Sequence, residues 1–364
     1  MRLLCRFDWS PNILPCTIEY HPDKPADIIQ NPDGTFVFNS YLPPRWYFEN
    51  HYYQKAPIEI KKLPEIYQNF FKHLLDGDND SIEYVLDWLS TMLTSKNLCY
   101  LSTIGMPGVG KGTLGELICA LVGNSNYATM GFNSITKQFN SQIENRKALY
   151  FDEVKIKNTD QELTLRLLVN DTVEVERKNQ DSRCVKNFAS IYLSSNDYGA
   201  IKLQPGDRRF SIVNLTKTKL NEVFDKETRA MLFDEDNIKI LGNYLLKREV
   251  DFEKMSRPFI SNNTRAVQQA SLAEWEDCLL NSIAITEAGK KLPWLKVKDM
   301  IVAELGRSLN AGKQAVNDLA QRLPGFYTFK REVDGTGRKI YMISFASRAD
   351  QPTHLLENVS VSED

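Results

Sequence analysis

The sequence predicts an α/β fold: a phosphate-loop core built on a mainly parallel sheet, with a mixed β and helical region before it and a helix-rich unit after it. Three observations carry this expectation. Short apolar runs at Cys99–Ile104, Ala148–Phe151, Ile191–Leu193 and Phe210–Leu215 read as strands buried on both faces. Helical periodicity follows them at Thr113–Val122 and Gln161–Val169, the alternation that parallel sheets require. A glycine-rich segment joins the first strand to its helix.

The chain has 364 residues, enough for two or three domains. Its 45 Lys plus Arg against 47 Asp plus Glu give a charge of −2, which excludes a basic coat for nucleic acid. Any polyanion must therefore meet local patches. Six cysteines at 5, 16, 99, 119, 184 and 278 form no close pair, which excludes a zinc ribbon and suits a reducing compartment. With four histidines, a histidine-built metal site is not expected. No run approaches the roughly 18–20 apolar residues of a membrane span. Asp8 interrupts the opening apolar stretch too early for a secretion signal, so the expected setting is cytoplasmic.

Residues 1–62 carry short apolar runs and the turn signal Asn31-Pro32-Asp33-Gly34, so strands and loops are expected there. Residues 63–98 change to helical steps: Ile66, Phe70 and Leu74, then Val85, Trp88, Leu89 and Met92. Between the two helices, Asp76-Gly77-Asp78-Asn79-Asp80 reads as a polar turn with Ser81 as helix cap, because no strand holds the acids in register for a metal. The α/β core is expected over 99–262, with its last part, 217–262, charged and helical. Residues 263–345 show three apolar stripes: Leu272, Trp275, Leu279 and Ile283; Val297, Ile301 and Leu305; and Val316, Leu319, Ala320 and Leu323. Strands Tyr327–Val333 and Arg338–Ile343, joined by Asp334-Gly-Thr-Gly337, complete the pattern of a winged-helix domain. Lys313, Gln314 and Asn317 would face outward on its third helix, where DNA contact, protein docking and plain packing all fit. Residues 346–364 end polar and acidic, as a flexible tail does.

The phosphate loop is Gly105-Met-Pro107-Gly108-Val109-Gly110-Lys111-Gly112-Thr113, running into Leu114 and the following helix. Glycines let backbone N–H groups approach phosphate oxygens, and the helix aims its N-terminal dipole at the same anion. Lys111 can then reach the β- and γ-phosphates of ATP. Ser or Thr usually follows the lysine directly and ligates Mg²⁺; here Gly112 intervenes, so either Thr113 or water takes that place. The Gly-Lys-Gly-Thr form also resembles nucleoside monophosphate kinases, so the loop alone does not separate a motor from a small-molecule phosphotransferase.

Lys147-Ala-Leu-Tyr-Phe-Asp152-Glu153 describes a buried strand ending in two acids, at the sheet edge where ligands bind. Asp152 would hold Mg²⁺ and Glu153 would polarise the attacking water. The strand ending Ser194-Ser195-Asn196 places an amide at the same edge, suited to the γ-phosphate. Arg208 and Arg209 precede the next apolar strand. They are either solvated or presented to a neighbouring subunit's γ-phosphate.

These motifs, in this order and spacing over roughly 63–216, resemble superfamily 3 helicases, and among them the helicase modules of phage and plasmid primases. The resemblance implies an AAA+-related fold and a hexameric ring with ATP sites between subunits. It also implies Mg²⁺-dependent translocation on single-stranded DNA in a phage's or plasmid's host cell. By similarity Lys111 and Thr113 belong to the phosphate loop, Asp152 and Glu153 to the acidic motif, Asn196 to the sensor and Arg209, with Arg208 second, to the arginine finger. Such modules are often fused behind a primase–polymerase domain, a partner expected in the same or another chain. The alternating arms around Asn179-Gln-Asp-Ser182 predict a hairpin, and the family inserts a hairpin at this place into the ring's pore. Lys178 is then the first choice for DNA, with Arg177 beside it and Lys186 second. An ATP-gated winged-helix switch that unwinds nothing is the remaining alternative.

Overall fold

The computed structural model describes residues 3–6, 13–24, 27–47, 62–131, 141–156, 165, 167–175, 181–201, 203, 207–270, 272, 274–306, 308–309, 311–322 and 325–351. The chain forms two compact units, Met1–Ile201 with Arg208–Thr264, and Lys202–Asp207 with Arg265–Asp364.

The first unit opens with four strands, β1 (Leu3–Arg6), β2 (Ile13–Glu19), β3 (Ile28–Gln30) and β4 (Phe36–Asn39), ordered β1-β2-β4-β3. The predicted turn between β3 and β4 closes when the Gly34 N–H donates to the Asn31 carbonyl at 2.9 Å. Two helices follow, α1 (Glu65–Leu74) and α2 (Asn79–Thr94). Their apolar steps become core: Phe70, Leu74, Val85, Trp88, Leu89 and Met92 are fully buried. Asp76 and Gly77 turn the chain at φ 55° and 67°. Ser81 is not the cap. Asp78, in an extended conformation, takes that position, and Ser81 lies inside α2, donating to Asp78 Oδ2 at 2.6 Å and accepting the Asn214 N–H.

The sheet comprises β5 (Tyr100–Ile104), β6 (Tyr127–Gly131), β7 (Ala148–Asp152), β10 (Ser190–Ser195) and β11 (Phe210–Ile212), ordered β11-β5-β10-β7-β6 with every pair parallel. Strands β5 and β10 are buried along their whole length, as continuous apolar runs require. Strand β6 was not evident in the sequence, because it lies at the edge and buries only Met130. Strand β11 stops at Ile212, short of the expected Leu215; beyond it the chain turns to α1, where the Thr216 N–H meets the Leu74 carbonyl. Between β7 and β10, β8 (Thr172–Val175) and β9 (Arg183–Lys186) pair as the expected antiparallel hairpin. Most of the helix expected over 161–169 lies outside the described residues.

Helix α3 (Lys111–Val122) packs its apolar face on the sheet. The charged stretch 217–262 is helical as expected, with α4 (Leu220–Val223), α5 (Lys226–Met231), α6 (Glu235–Leu246), α7 (Phe252–Met255) and the start of α8 (Asn262–Ala270). Helix α6 is tied to α2 by Ser90 Oγ on the Leu245 carbonyl and, just beyond its end, by Arg248 Nε on Asp87 at 2.6 Å.

The second unit runs α9 (Glu274–Asp277), a π-helical turn (Cys278–Ile283) and Ala284–Thr286, then β12 (Lys291–Pro293), α10 (Trp294–Leu305), α11 (Lys313–Arg322), β13 (Tyr327–Val333) and β14 (Lys339–Phe345). Its antiparallel sheet is ordered β12-β14-β13. Leu279, Ile283, Val297, Ile301, Val316 and Leu319 meet in one core. Leu323 lies outside the described residues. In the hairpin turn, the Asp334 carboxylate accepts the N–H groups of Thr336 and Arg338, and Gly337 has φ 80°. Within residues 346–351, read from the sequence as the start of a tail, 347–350 are exposed, but Gln351 is buried and its amide donates to the Ala284 carbonyl at 2.8 Å.

Candidate active site

At the C-terminal end of β5 the chain enters the glycine-rich loop, and three features of the sequence set its shape. Gly108 and Gly110 take φ 81° and 116°, which side chains resist. Gly110 caps α3 in the left-handed conformation, with Phe70, Leu74 and Leu220 in van der Waals range of where its Cβ would be. Val109 and Leu114 turn into the core and anchor the loop from below. The loop is tied to neighbouring elements on two sides: the Gly105 N–H donates to the Ser195 carbonyl at 3.1 Å, and the Leu220 N–H to the Gly108 carbonyl at 2.9 Å.

Lys111 is 7% exposed. Its ammonium donates to the carbonyls of Gly105 (2.7 Å) and Met106 (2.6 Å) and to Asn196 Oδ1 (2.8 Å). All three acceptors are neutral. Burial therefore pulls its pKa down to about 8, against the opposing pull of Asp152. No carboxylate of the described residues pairs directly with this ammonium.

The order of the sheet places Asn196 at this ammonium. Strand β10 lies between β5 and β7, with Ser195 beside Ile104 and Leu193 beside Phe151. Asp152 closes β7, and its Oδ1 accepts Ser194 Oγ (2.5 Å), Tyr150 Oη (2.8 Å) and the Glu153 N–H (3.0 Å). Burial acts to raise its pKa, but those hydrogen bonds and the Lys111 charge prevail and hold the carboxyl below the ordinary range. Oδ2 accepts no hydrogen bond from the described residues. Glu153 follows at φ 49°, a left-handed conformation that a non-glycine residue holds only when its surroundings impose it.

Pro107, Gly108, Gly110, Lys111, Gly112, Thr113, Asp152, Glu153 and Asn196 thus line one cleft of about 700 Å³. Gly105, Val109 and Leu114 lie behind it. Lys219, Asn221 and Arg229, from the segment around α4 and α5, close the far wall, and none was singled out by the sequence. Nothing in their spacing marks them: they sit in an ordinary charged helical stretch. Arg229 carries a buried Nε with no hydrogen-bond partner.

Mg²⁺ is the metal that the motifs imply. Such an ion takes one or two carboxylates and completes its shell with water and phosphate oxygens. Asp152, oriented through one oxygen with the other unengaged, and the half-buried Thr113 in the same cleft form a donor set of that kind.

Arg208 and Arg209 stand elsewhere. The Tyr100 N–H donates to the Arg209 carbonyl at 2.6 Å, so both lie beside the start of β5, across the sheet from the cleft at its end. Arg177 and Lys178 lie outside the described residues. Lys186 lies on the described part of the hairpin. It faces Thr172 at the base, and its ammonium sits 4.5 Å from the Phe188 ring centre, while Arg183 pairs with Glu144. In the second unit Lys313 is exposed and its ammonium lies 4.3 Å from the Tyr341 ring centre. Among the described residues no helix is long and apolar enough to cross a membrane.

A family of unknown function, DUF5906, matches residues 103–209, from the end of β5 to Arg209. The DNA primase-polymerase of Nitratiruptor phage NrS-1 is 23% identical over 243 residues, which are 65% of this chain and 33% of that protein. The chain thus spans about a third of its relative. The apo structure of the NrS-1 C-terminal region superposes with a TM-score of 0.67 at 18% identity, covering 90% of this chain and 84% of that one. A further apo structure, described as an A form, gives 0.66 over 93% and 87%. The chain is related in sequence to a phage DNA primase-polymerase and shares the fold of that protein's C-terminal region.

Proposed function

We propose that this chain is an ATP-driven helicase module acting in phage or plasmid DNA replication, with an AAA+-like core and a C-terminal winged helix. The observation that carries the reading is convergence: the glycine-rich loop, Lys111, Asp152, Glu153 and Asn196 line one cleft, and Arg229 joins them from a distant helix. ATP binds with its phosphates on the loop and on the N-terminus of α3. Lys111, Asn196 and Arg229 hold the γ-phosphate, and Glu153 accepts a proton from the attacking water. Asp152, with Thr113 or a water, would hold Mg²⁺, which would supply positive charge to offset that of the phosphates. The neighbouring subunit completes the site with Arg209, or with Arg208.

Several features support a ring that handles single-stranded DNA: the hairpin β8–β9, the position of the arginines across the sheet, and the relationship to a primase-polymerase. That relationship also supports a primase or polymerase domain as partner, in the same chain or another. The order of elements in the second unit, helix, short strand, two helices and hairpin, supports the winged helix. The test is DNA-stimulated ATPase together with single-turnover unwinding of a tailed duplex. Lys111→Ala and Glu153→Gln are each expected to lose both activities by 100-fold or more, on the order of what one positioned catalytic group contributes. ATP hydrolysis that survives both changes would remove the site from this cleft. Phosphoryl transfer from ATP to AMP would redirect the reading to a monophosphate kinase.

A further inference from the structure

Lys147 stands at the start of β7, the end of that strand opposite Asp152 and the cleft. It is 3% exposed, and its ammonium makes no hydrogen bond or ion pair among the described residues. Asp23 acts on it through space without pairing, and burial draws its pKa down to about 8. A charge buried in this way is unfavourable unless something accepts its protons.

What faces it is a cavity of about 240 Å³ walled by Tyr41, Tyr47 and Trp46, with Thr94 and Asp23 also lining it. Its floor is fixed. The Trp46 indole N–H donates to the Leu121 carbonyl at 3.0 Å, and the ring packs so closely on Gly242 that a Cβ there would lie 2.5 Å away. Ligand clefts for drug-sized molecules usually run from roughly 300 to 1,000 Å³. This one suits a single ring system and excludes a whole nucleotide. Aromatic walls select a planar ring, and a lone ammonium selects a ring bearing a carbonyl oxygen.

A row of rings links the cavity to the hairpin. Lys186 lies over Phe188, Phe188 meets Tyr20 edge-on at 5.8 Å, and Tyr20 meets Tyr41 at 5.6 Å. From this geometry we infer that the Lys147 cavity receives one unstacked base of a single-stranded DNA, a thymine, guanine or cytosine whose ring carbonyl accepts from the lysine. The inference rests on the single-strand partner proposed above and assigns it a base-reading subsite. Stacking alone tolerates every base; the lysine adds a preference against adenine, which offers no carbonyl.

The test uses the full chain and oligonucleotides of thymine or adenine. Oligo(dT) is expected to bind several-fold more tightly than oligo(dA), and Lys147→Met to abolish that difference while leaving DNA-independent ATPase unchanged. Lys147→Leu, which also offers no donor, serves if the methionine variant does not fold. Oligonucleotides carrying 4-thiothymine are expected to photo-crosslink to the peptides holding Tyr41, Tyr47 or Lys147. An unchanged preference in the Lys147 variants, or crosslinks only elsewhere, overturns the subsite. The Lys111→Ala variant separates the two readings, since it is expected to lose ATPase yet keep the thymine preference.

Discussion

Glu153 holds a left-handed backbone at φ 49° beside the carboxylate that anchors the cleft. An L-residue there costs about 1–2 kcal/mol relative to glycine, because Cβ crowds the following carbonyl. Glu153→Gly is therefore expected to be more stable than Glu153→Ala by about 1 kcal/mol in urea denaturation, with ATP hydrolysis lost in both. Equal stabilities would mean that the turn relaxes once the carboxylate is gone. The strain itself was not legible in the sequence, although the acid was. Lys111, Asp152, Glu153 and Asn196 stood out because each closes or follows a recognisable strand or loop. Arg229 and Lys219 did not, because a cleft's far wall comes from a helix that only the packing brings there. Tyr150 and Ser194, which orient Asp152, fell inside strands that had been read only as apolar or polar pattern.

At the scale of elements, the pairing of α3 with β7 couples packing to chemistry. A Cβ on Gly115 would lie 2.8 Å from the Tyr150 ring, while one on Gly112 would meet nothing. Gly115→Ala is thus expected to lower stability by about 1–3 kcal/mol through overpacking. It should also depress ATPase, since the displaced ring carries the hydroxyl that holds Asp152. Gly112→Ala is expected to raise stability by roughly 0.5–1 kcal/mol, the usual gain from removing a helical glycine. Thermal unfolding of the pair decides; equal behaviour would show that the contact yields at no cost. The strands of the sheet interior were legible because burial on both faces leaves a continuous apolar run. The edge strand β6 was not, since half-exposed edges share their composition with loops. The cap of α2 moved from Ser81 to Asp78 because two capping residues compete within one turn and tertiary contact with Asn214 settles which is buried.

Across the first unit, the cleft and Lys147 stand at opposite ends of one sheet, and buried charges set its response to pH. Lys96 and Lys147 have pKa values of about 8 in the fold against 10.5 in the open chain. Between these values the unfolded state binds more protons, so stability is expected to rise from pH 8 towards 10. Above pH 10 the buried tyrosines reverse the trend, as with Tyr127 at about 12, because the unfolded chain ionises first. Urea midpoints across pH 7–11 should peak near 10, and Lys147→Met should flatten the rise. The same layout makes the proposed assembly testable. Arg209 lies level with Tyr100, whereas the phosphate loop leaves β5 after Ile104, about 13 Å along the strand at roughly 3.3 Å per residue. Its guanidinium is badly placed for its own cleft, which is why the proposed function assigns it to the cleft of an adjoining copy. Arg209→Ala is accordingly expected to bind ATP normally yet lose hydrolysis by about 10³-fold or more, the usual effect of removing such a cation. Lys111→Ala should be equally inactive for a different reason. Mixed in equal amounts, the two variants create interfaces where an intact cradle from the first meets an intact arginine from the second. Hydrolysis should therefore reappear in the mixture, and the same result with Arg208→Ala would reassign the role to its neighbour. If the mixture forms oligomers by native mass and still hydrolyses nothing, the arginines do not act across subunits and the cleft must work with the charges it holds alone.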